Sequence, residues 1–394
     1  MQKKEKKKPI ENRNDVYAFV MFYMIVLLQT MLFTSFGRFY PSAAQIFGKL
    51  EIWLILFYLL YALMIKITFR KIIYAIVVLL IVGISQVYSG TSTPFIKLLM
   101  LTIAVPRTIL SANKIAKIFG YAMLTTMCIT IFLSLLGYLP KSGETSRVLF
   151  AKYQETVYFY GFTHPNIFGA FLTTLFMIYY FLFYKTHKIY IIFAAIVLLI
   201  ADVSIAAGTA AMGILMVLVF TFIHGHKDMR IQHIKLLKLS YLIPAVLTFF
   251  CFWLANNNNS SLGVFINEKI ASRPNIWNAY ITQYPIHFVN KLPEIQIDGI
   301  NTILGNGALD GGYIYALIYW GILSWLTYYF IFNSIIRFSI ENDDFSLYCV
   351  ALVTMIMTFP ESHMIMFFEN VFLIFVGFYQ YPKNERILYF RNKI

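Results

Sequence analysis

The sequence predicts an all-α polytopic membrane protein with about twelve transmembrane helices, and three observations carry that expectation. Hydrophobic residues fill 59% of 394 positions and charged residues only 13%, with a mean hydropathy of +0.69. A water-facing surface cannot be built from such a composition. Apolar runs long enough to cross a bilayer as helix recur from one end to the other. Basic residues gather on alternate connections between those runs, which orients the chain.

The first element is a basic tail, residues 1–15, which opens Met1-Gln2-Lys3-Lys4-Glu5-Lys6-Lys7-Lys8. It is followed by a first apolar run with no small-residue cleavage site, so the tail reads as a retained cytoplasmic anchor rather than a signal peptide. Spans are then expected at 16–36, 50–67, 71–88, 94–111, 115–138, 166–184, 189–205, 207–223, 238–255, 311–332, 344–360 and 363–380, all in one transmembrane domain covering 1–394. The span at 94–111 is interrupted by Pro106-Arg107. The pair 189–205 and 207–223, joined by Ala206-Ala207-Gly208, has a single re-entrant unit as its alternative.

Starting from a cytoplasmic amino terminus, the inner connections and termini receive 23 of the 32 lysines and arginines. The other nine are Arg38, Lys49, Lys97, Lys141, Arg147, Lys152, Lys269, Arg273 and Lys291, on or near the outer side. That imbalance follows the positive-inside rule, and an even number of spans returns the carboxyl terminus to the cytoplasm. The net charge of +14 is therefore topological; it is not a nucleic-acid footprint, which needs basic residues gathered on one soluble face. Cys128, Cys251 and Cys349 lie far apart in or beside apolar runs, so packing is expected of them rather than a disulfide framework or a metal site.

Two long segments are left outside, a loop at 139–165 and a larger one at 256–308, and function is sought there. The first ends in Gly161-Phe162-Thr163-His164-Pro165-Asn166-Ile167-Phe168-Gly169. Pro165 suits the first helical position, so His164 is placed at the cap beside the positive end of a helix dipole, a place that readily holds phosphate. Arg147 stands out among the other charges because its planar fork suits phosphate, although a solvated loop beside an aromatic belt accounts for its neighbours Lys141, Glu144, Lys152 and Glu155.

The larger loop contains Arg273-Pro274-Asn275-Ile276-Trp277, followed by Tyr280, Ile281 and Tyr284 at helical spacing. An amphipathic helix lying in the interface is expected there. Arg273, just before it, is either a lipid-headgroup contact or a clamp on an anionic substrate. The loop closes with Leu304-Gly305-Asn306-Gly307-Ala308-Leu309-Asp310-Gly311-Gly312-Tyr313, whose glycines allow close backbone approach; Asp310 is a candidate helix cap or sugar contact. Phe359-Pro360-Glu361-Ser362-His363 adds a carboxylate and an imidazole at the outer end of the last hairpin, where ionisable groups tend to be functional.

No P-loop, dinucleotide glycine fingerprint, His-Glu-x-x-His or serine nucleophile elbow is present. His224, His226 and His233 lack a regular ligand spacing, and the pair Asp343-Asp344 falls on the cytoplasmic side. Scarce outer carboxylates argue against a bound Mg²⁺ or Mn²⁺, so neither metal nor cofactor is expected. An outward-facing site lacks nucleotide sugars and ATP, so a bond-forming reaction there needs a donor that carries its own activation, such as a polyprenyl diphosphate-linked glycan. Its departing diphosphate needs a cation, which arginine and a helix amino terminus supply.

The Gly161–Gly169 motif, the Arg273-to-Trp277 and Gly305-to-Tyr313 stretches, and Glu361 followed by Asn370 resemble the Wzy-type polysaccharide polymerases of Gram-positive capsule and exopolysaccharide loci, within the O-antigen ligase and polymerase superfamily. The resemblance covers the whole chain in topology, and its most specific piece is Gly-Phe-Thr-His-Pro-Asn. It implies a membrane-embedded, GT-C-like glycosyltransferase that moves a growing glycan from undecaprenyl diphosphate to the non-reducing end of the next lipid-linked repeat unit.

The same resemblance implies Arg147 and Arg273 for the donor diphosphate, and His164 for the phosphate or for the acceptor hydroxyl as base, with Asn166 supporting it. Asp310 and Glu361 are implied for sugar binding or acceptor activation, and Trp277 and Tyr313 for substrate binding. Tyr160 stands before Gly161 where an arginine would fit the pattern better, which puts weight on Arg147. The implied partners are the bilayer, the undecaprenyl diphosphate-linked oligosaccharide, and a flippase and chain-length regulator of the same pathway. A ligase that moves a finished glycan to another acceptor would use much the same residues. A lipid-linked oligosaccharide flippase or other transporter would instead favour polar groups near mid-bilayer, of which Asp202 is the main example.

Overall fold

The computed structural model describes residues 13–65, 67–89, 93–146, 154–225, 231, 235–270, 272–291 and 309–386. The basic tail up to residue 12, Arg147, Lys152 and the Gly305–Ala308 stretch lie outside the described residues. Among the described residues, five helices are long and apolar enough to cross a membrane: Pro41–Met64 (α3), Phe69–Ser89 (α4), Ala112–Leu135 (α6), Pro165–Phe183 (α7) and Leu239–Asn256, whose regular part is Ile243–Asn256 (α10). Shorter apolar helices accompany them within Arg13–Leu32 (α1), Gly208–Gly225 (α9) and Phe345–Met357 (α15), and at Val371–Gln380, a 3₁₀ helix. The architecture is that of a multi-pass helical membrane protein. Its outward faces are apolar, with Ile76, Leu80 and Val87 on α4 and Ile192, Phe193 and Ile200 on Lys188–Ser204 (α8) exposed, as contact with lipid requires.

Several expectations change. The span at 94–111 is a shorter helix, Pro94–Thr108 (α5), which continues through Pro106 and ends two residues later. Pro106 has no N–H to offer the Thr102 carbonyl, and Gly377 packs so close to that oxygen that a Cβ there would collide with it. The 189–205 and 207–223 pair forms two separate helices, α8 and α9, packed on each other. The 139–165 loop departs from an all-α fold, since Ser142–Ser146 (β1) pairs antiparallel with Gln154–Tyr158 (β2), Ser142 opposite Tyr158.

The expected span at 311–332 is broken. Gly312–Tyr315 (α13) passes into a π turn, Ala316–Trp320, and the chain then reverses into Ile322–Glu341 (α14) through Gly321 at φ 90. A side chain at Gly321 would meet the backbone of residues 288–290 at 2.7–2.8 Å, so only glycine allows that segment to dock on the break. Asn290 fills the gap, its amide donating to the carbonyls of Leu317 and Ile318. In the expected span at 363–380, regular helix begins only at Val371; a single turn, His363–Ile365, interrupts an otherwise irregular connector from residue 358 to 370.

Contacts at the two ends of the bundle agree with the alternation of sides read from the basic residues. At one end Ser35 N donates to the Gly161 carbonyl, and Tyr40 OH to the Tyr138 carbonyl. At the other, Arg107 bonds Gln380, Lys71 lies over the Tyr381 ring, His224 stacks on Phe345, and Asp343 accepts from the Ile231 N–H. Lys97 is the exception. It lies inside the bundle on α5, donating to Glu51 of α3 at 2.5 Å and to Gln29 of α1 at 2.8 Å, with Glu51 fully buried. Cys251 and Cys349 are buried as expected, whereas Cys128 is exposed on the outside of α6.

Candidate functional site

The Gly161–Gly169 motif builds one wall of the site. Gly161 adopts φ 86 and sits against the Thr130 carbonyl, where a Cβ would come within 2.7 Å, so the turn into α7 depends on glycine. His164 is the N-cap of α7, with Pro165 in the first turn, and its Nδ1 accepts the Asn166 backbone N–H at 3.2 Å. The expected cap is therefore present, but Asn166 supports the ring through its main chain rather than its amide. Gly169 lets α7 approach α9, since a Cβ there would lie 2.4 Å from the Ala207 Cβ and 2.9 Å from that of Ala210.

Arg273–Gln283 (α12) supplies the cation; it begins at Arg273 itself, after Ser272 in the left-handed region. Ile276, Trp277 and Tyr280 are buried against α10, so the pattern that reads as amphipathic packs into the protein. Trp277 is wholly buried and its indole donates to the Asp310 carbonyl at 2.6 Å, which replaces the expected substrate contact by a structural one. Tyr313 is corrected in the same way, as its buried hydroxyl donates to the Met355 carbonyl.

Arg273 is 5% exposed. Its Nη2 donates to Glu361 Oε1 at 2.7 Å and to Asp310 Oδ2 at 3.2 Å, and its Nη1 to the Ile270 carbonyl, while Nε is buried without a partner. The other oxygen of Glu361, Oε2, lies 3.4 Å from His363 Nδ1. Asp310 caps no helix. Gly311 at φ 92 and Gly312 carry the chain between Trp277 and the turn at 358–361, where a side chain on either would collide, and this threading brings Asp310 to Arg273. Ser362 and Thr209 hydroxyls add hydrogen bonds to Asp310 and Glu361, respectively.

The electrostatics follow from this packing. Burial would raise the Glu361 carboxyl, but Arg273 and His363 beside it outweigh burial and hold it down at about 2. Asp310 is lifted to about 6 by burial and by the neighbouring Glu361, against the pull of Arg273. Burial would lower His363, yet Glu369, Glu361 and Asp310 together raise it to about 9. His164 is lowered by burial, with opposing contributions from Glu361 and Arg273, so its ring is neutral at pH 7. The outcome is a network of alternating charges in which Asp310, its side chain 36% exposed, is the carboxylate most open to a ligand.

Four of the eight candidates thus converge, His164, Arg273, Asp310 and Glu361, drawn from segments nearly 200 residues apart. Arg147 lies outside the described residues. Asn166 contributes only its main chain, and Trp277 and Tyr313 are framework. Sequence reasoning noticed the His363 imidazole without giving it a role and did not assign Ser362, Thr209 or Glu369; two carboxylates and an imidazole within nine mostly apolar positions, 361–369, were the available signal. Among the described residues no cluster of three His, Cys, Asp or Glu side chains has the arrangement of a metal site. No family model, curated protein or solved structure matches this chain.

Proposed function

We propose that the chain is a membrane-embedded glycosyltransferase that polymerises lipid-linked repeat units, transferring the growing glycan from undecaprenyl diphosphate to the non-reducing end of the next unit at the outer membrane face. The observation that carries this reading is the meeting of His164, Arg273, Asp310 and Glu361 at the end of the bundle that bears few basic residues. An acceptor hydroxyl attacks the anomeric carbon, the bond from that carbon to the phosphate oxygen breaks, and its electron pair leaves on the diphosphate. Arg273 is the cation that offsets the departing charge, in a site where few waters compete.

The hydrogen-bond geometry separates the remaining roles. Because His164 Nδ1 accepts the Asn166 N–H, its neutral ring carries the proton on Nε2 and acts as a donor to a phosphate oxygen. Asp310 then takes the acceptor proton: it is partly exposed, and its value near 6 leaves it ionised yet basic at neutral pH. Glu361, held by Arg273 and His363, positions the cation.

A transporter of the same lipid-linked substrate is the second reading, favoured by the buried Glu51–Lys97–Gln29 group and by Asp202, which is fully buried against Gly169. Purified protein in liposomes supplied with a lipid-linked repeat unit on one face separates the two. Polymer formed without any change of leaflet, and lost in Arg273→Gln and Asp310→Asn, supports the polymerase. Movement of single units across the bilayer with no lengthening refutes it.

A further inference from the structure

A diphosphate carries at least two negative charges, yet Arg273 is the only cation that the proposed reading places at the site within the described residues, and two carboxylates already lean on it. His363 is the candidate for a second. It occupies the turn between α15 and the last helical segment, outside the spanning helices, with 14% of its side chain exposed. Glu361 uses one oxygen for Arg273 and turns the other toward His363 Nδ1, so a single carboxylate holds both cations side by side.

We infer that His363 is a second cationic contact for the diphosphate, held next to Arg273 by their shared carboxylate Glu361. This rests on the polymerase reading of the site and adds to it a residue with its own signature. With Nδ1 turned to Glu361, Nε2–H is left to meet a phosphate oxygen. The ionisable groups facing His363 are Glu361 and Glu369 on its own connector and Asp310 at the start of α13; Arg273 from α12 and His164 from the cap of α7 reach the same cluster through Glu361. Three carboxyl groups around it keep the ring protonated at neutral pH, up to about pH 9. Of the three, Asp310 is the one with substantial exposure, and Glu361 and Glu369 are buried.

The test is binding of farnesyl diphosphate to the full-length protein in detergent, followed by calorimetry from pH 5 to 10. The ligand's charge is constant across the upper part of that range. The wild-type affinity is expected to fall as pH rises through about 9, where His363 loses its proton. His363→Gln should weaken binding at pH 7 roughly ten- to hundredfold, the loss of one charge-assisted hydrogen bond, and abolish the alkaline step. His363→Lys should restore binding and move the step upward.

If Arg273→Gln weakens binding while His363→Gln leaves both affinity and the alkaline step unchanged, the inference fails and the anion site at Arg273 stands. If the wild-type protein does not bind farnesyl diphosphate at all, the polymerase reading fails with it. The wild-type pH profile decides the matter even where a variant does not fold, because a flat profile through pH 9 excludes His363 as a contact.

Discussion

Replacing Glu361 by glutamine keeps the shape of the side chain and removes the charge that joins Arg273 to His363. Glu361 is 2% exposed, so solvent screening of the pair is small. Its carboxyl is held at about 2 where 4.5 is ordinary. At about 1.4 kcal/mol per pH unit, this depression corresponds to roughly 3 kcal/mol of stability, which agrees with the ~3–5 kcal/mol typical of breaking a buried ion pair. The sign follows from the direction: a depressed carboxylate contributes fully above its unfolded value near 4.5, and the contribution is lost as pH falls toward 2. Thermal unfolding in detergent, read by tryptophan fluorescence, should therefore place Glu361→Gln well below the wild type at pH 7, and the two should draw together in acid. The double variant Glu361→Gln/Arg273→Gln should lose less than the two single variants together, because neither charge is left alone. Equal unfolding temperatures at pH 7, or additive losses in the double variant, would refute the reasoning.

Three further outcomes are expected. Asp310→Asn should retain farnesyl diphosphate binding yet lower polymer formation by about 10²–10⁴-fold as a general base is lost, and the wild-type rate should fall as pH drops through about 6, where Asp310 takes up a proton; a rate that is flat from pH 7 to 5 in a stably folded protein argues against this base. Gly169→Ala should cost about 1–3 kcal/mol by forcing α7 away from Ala207 and Ala210, with part of the loss recovered by Ala207→Gly, as measured by unfolding of the single and double variants. Lys97→Met should destabilise by roughly 3–5 kcal/mol because Glu51 is left buried and unpaired, whereas Lys97→Met/Glu51→Leu should unfold near the wild-type temperature.

The positions of most apolar helices were legible because lipid imposes one requirement on every span, an apolar surface with its backbone bonds satisfied internally. That requirement is local, so α3, α4, α6 and α7 could be located approximately from residue type alone. The His164 cap was legible for a similar reason, as Pro165 and the start of an apolar run define the helix entrance within a few residues. Helix breaks were harder. Gly321 lies within an apolar stretch and reads as part of a continuous span, and only the docking of Asn290 on the freed carbonyls shows why the helix stops there. Trp277 illustrates the same gap: its neighbours have amphipathic spacing, but spacing does not tell lipid from α10 as the surface that receives the apolar face.

By itself, then, the sequence determined the class of the protein, its span-by-span hydrophobicity, the segregation of basic residues, and a short set of polar residues too costly to be incidental. Tertiary structure decided which of those polar residues meet and what each can do. Arg273 looks like a free cation in sequence and is a shared one in the fold, because Gly311 and Gly312 thread Asp310 to it and the turn after α15 brings Glu361 and His363. Charge pairing depends on distances of a few ångströms between segments far apart in the chain, and at that range the dielectric and the partner, rather than the residue type, set the chemistry.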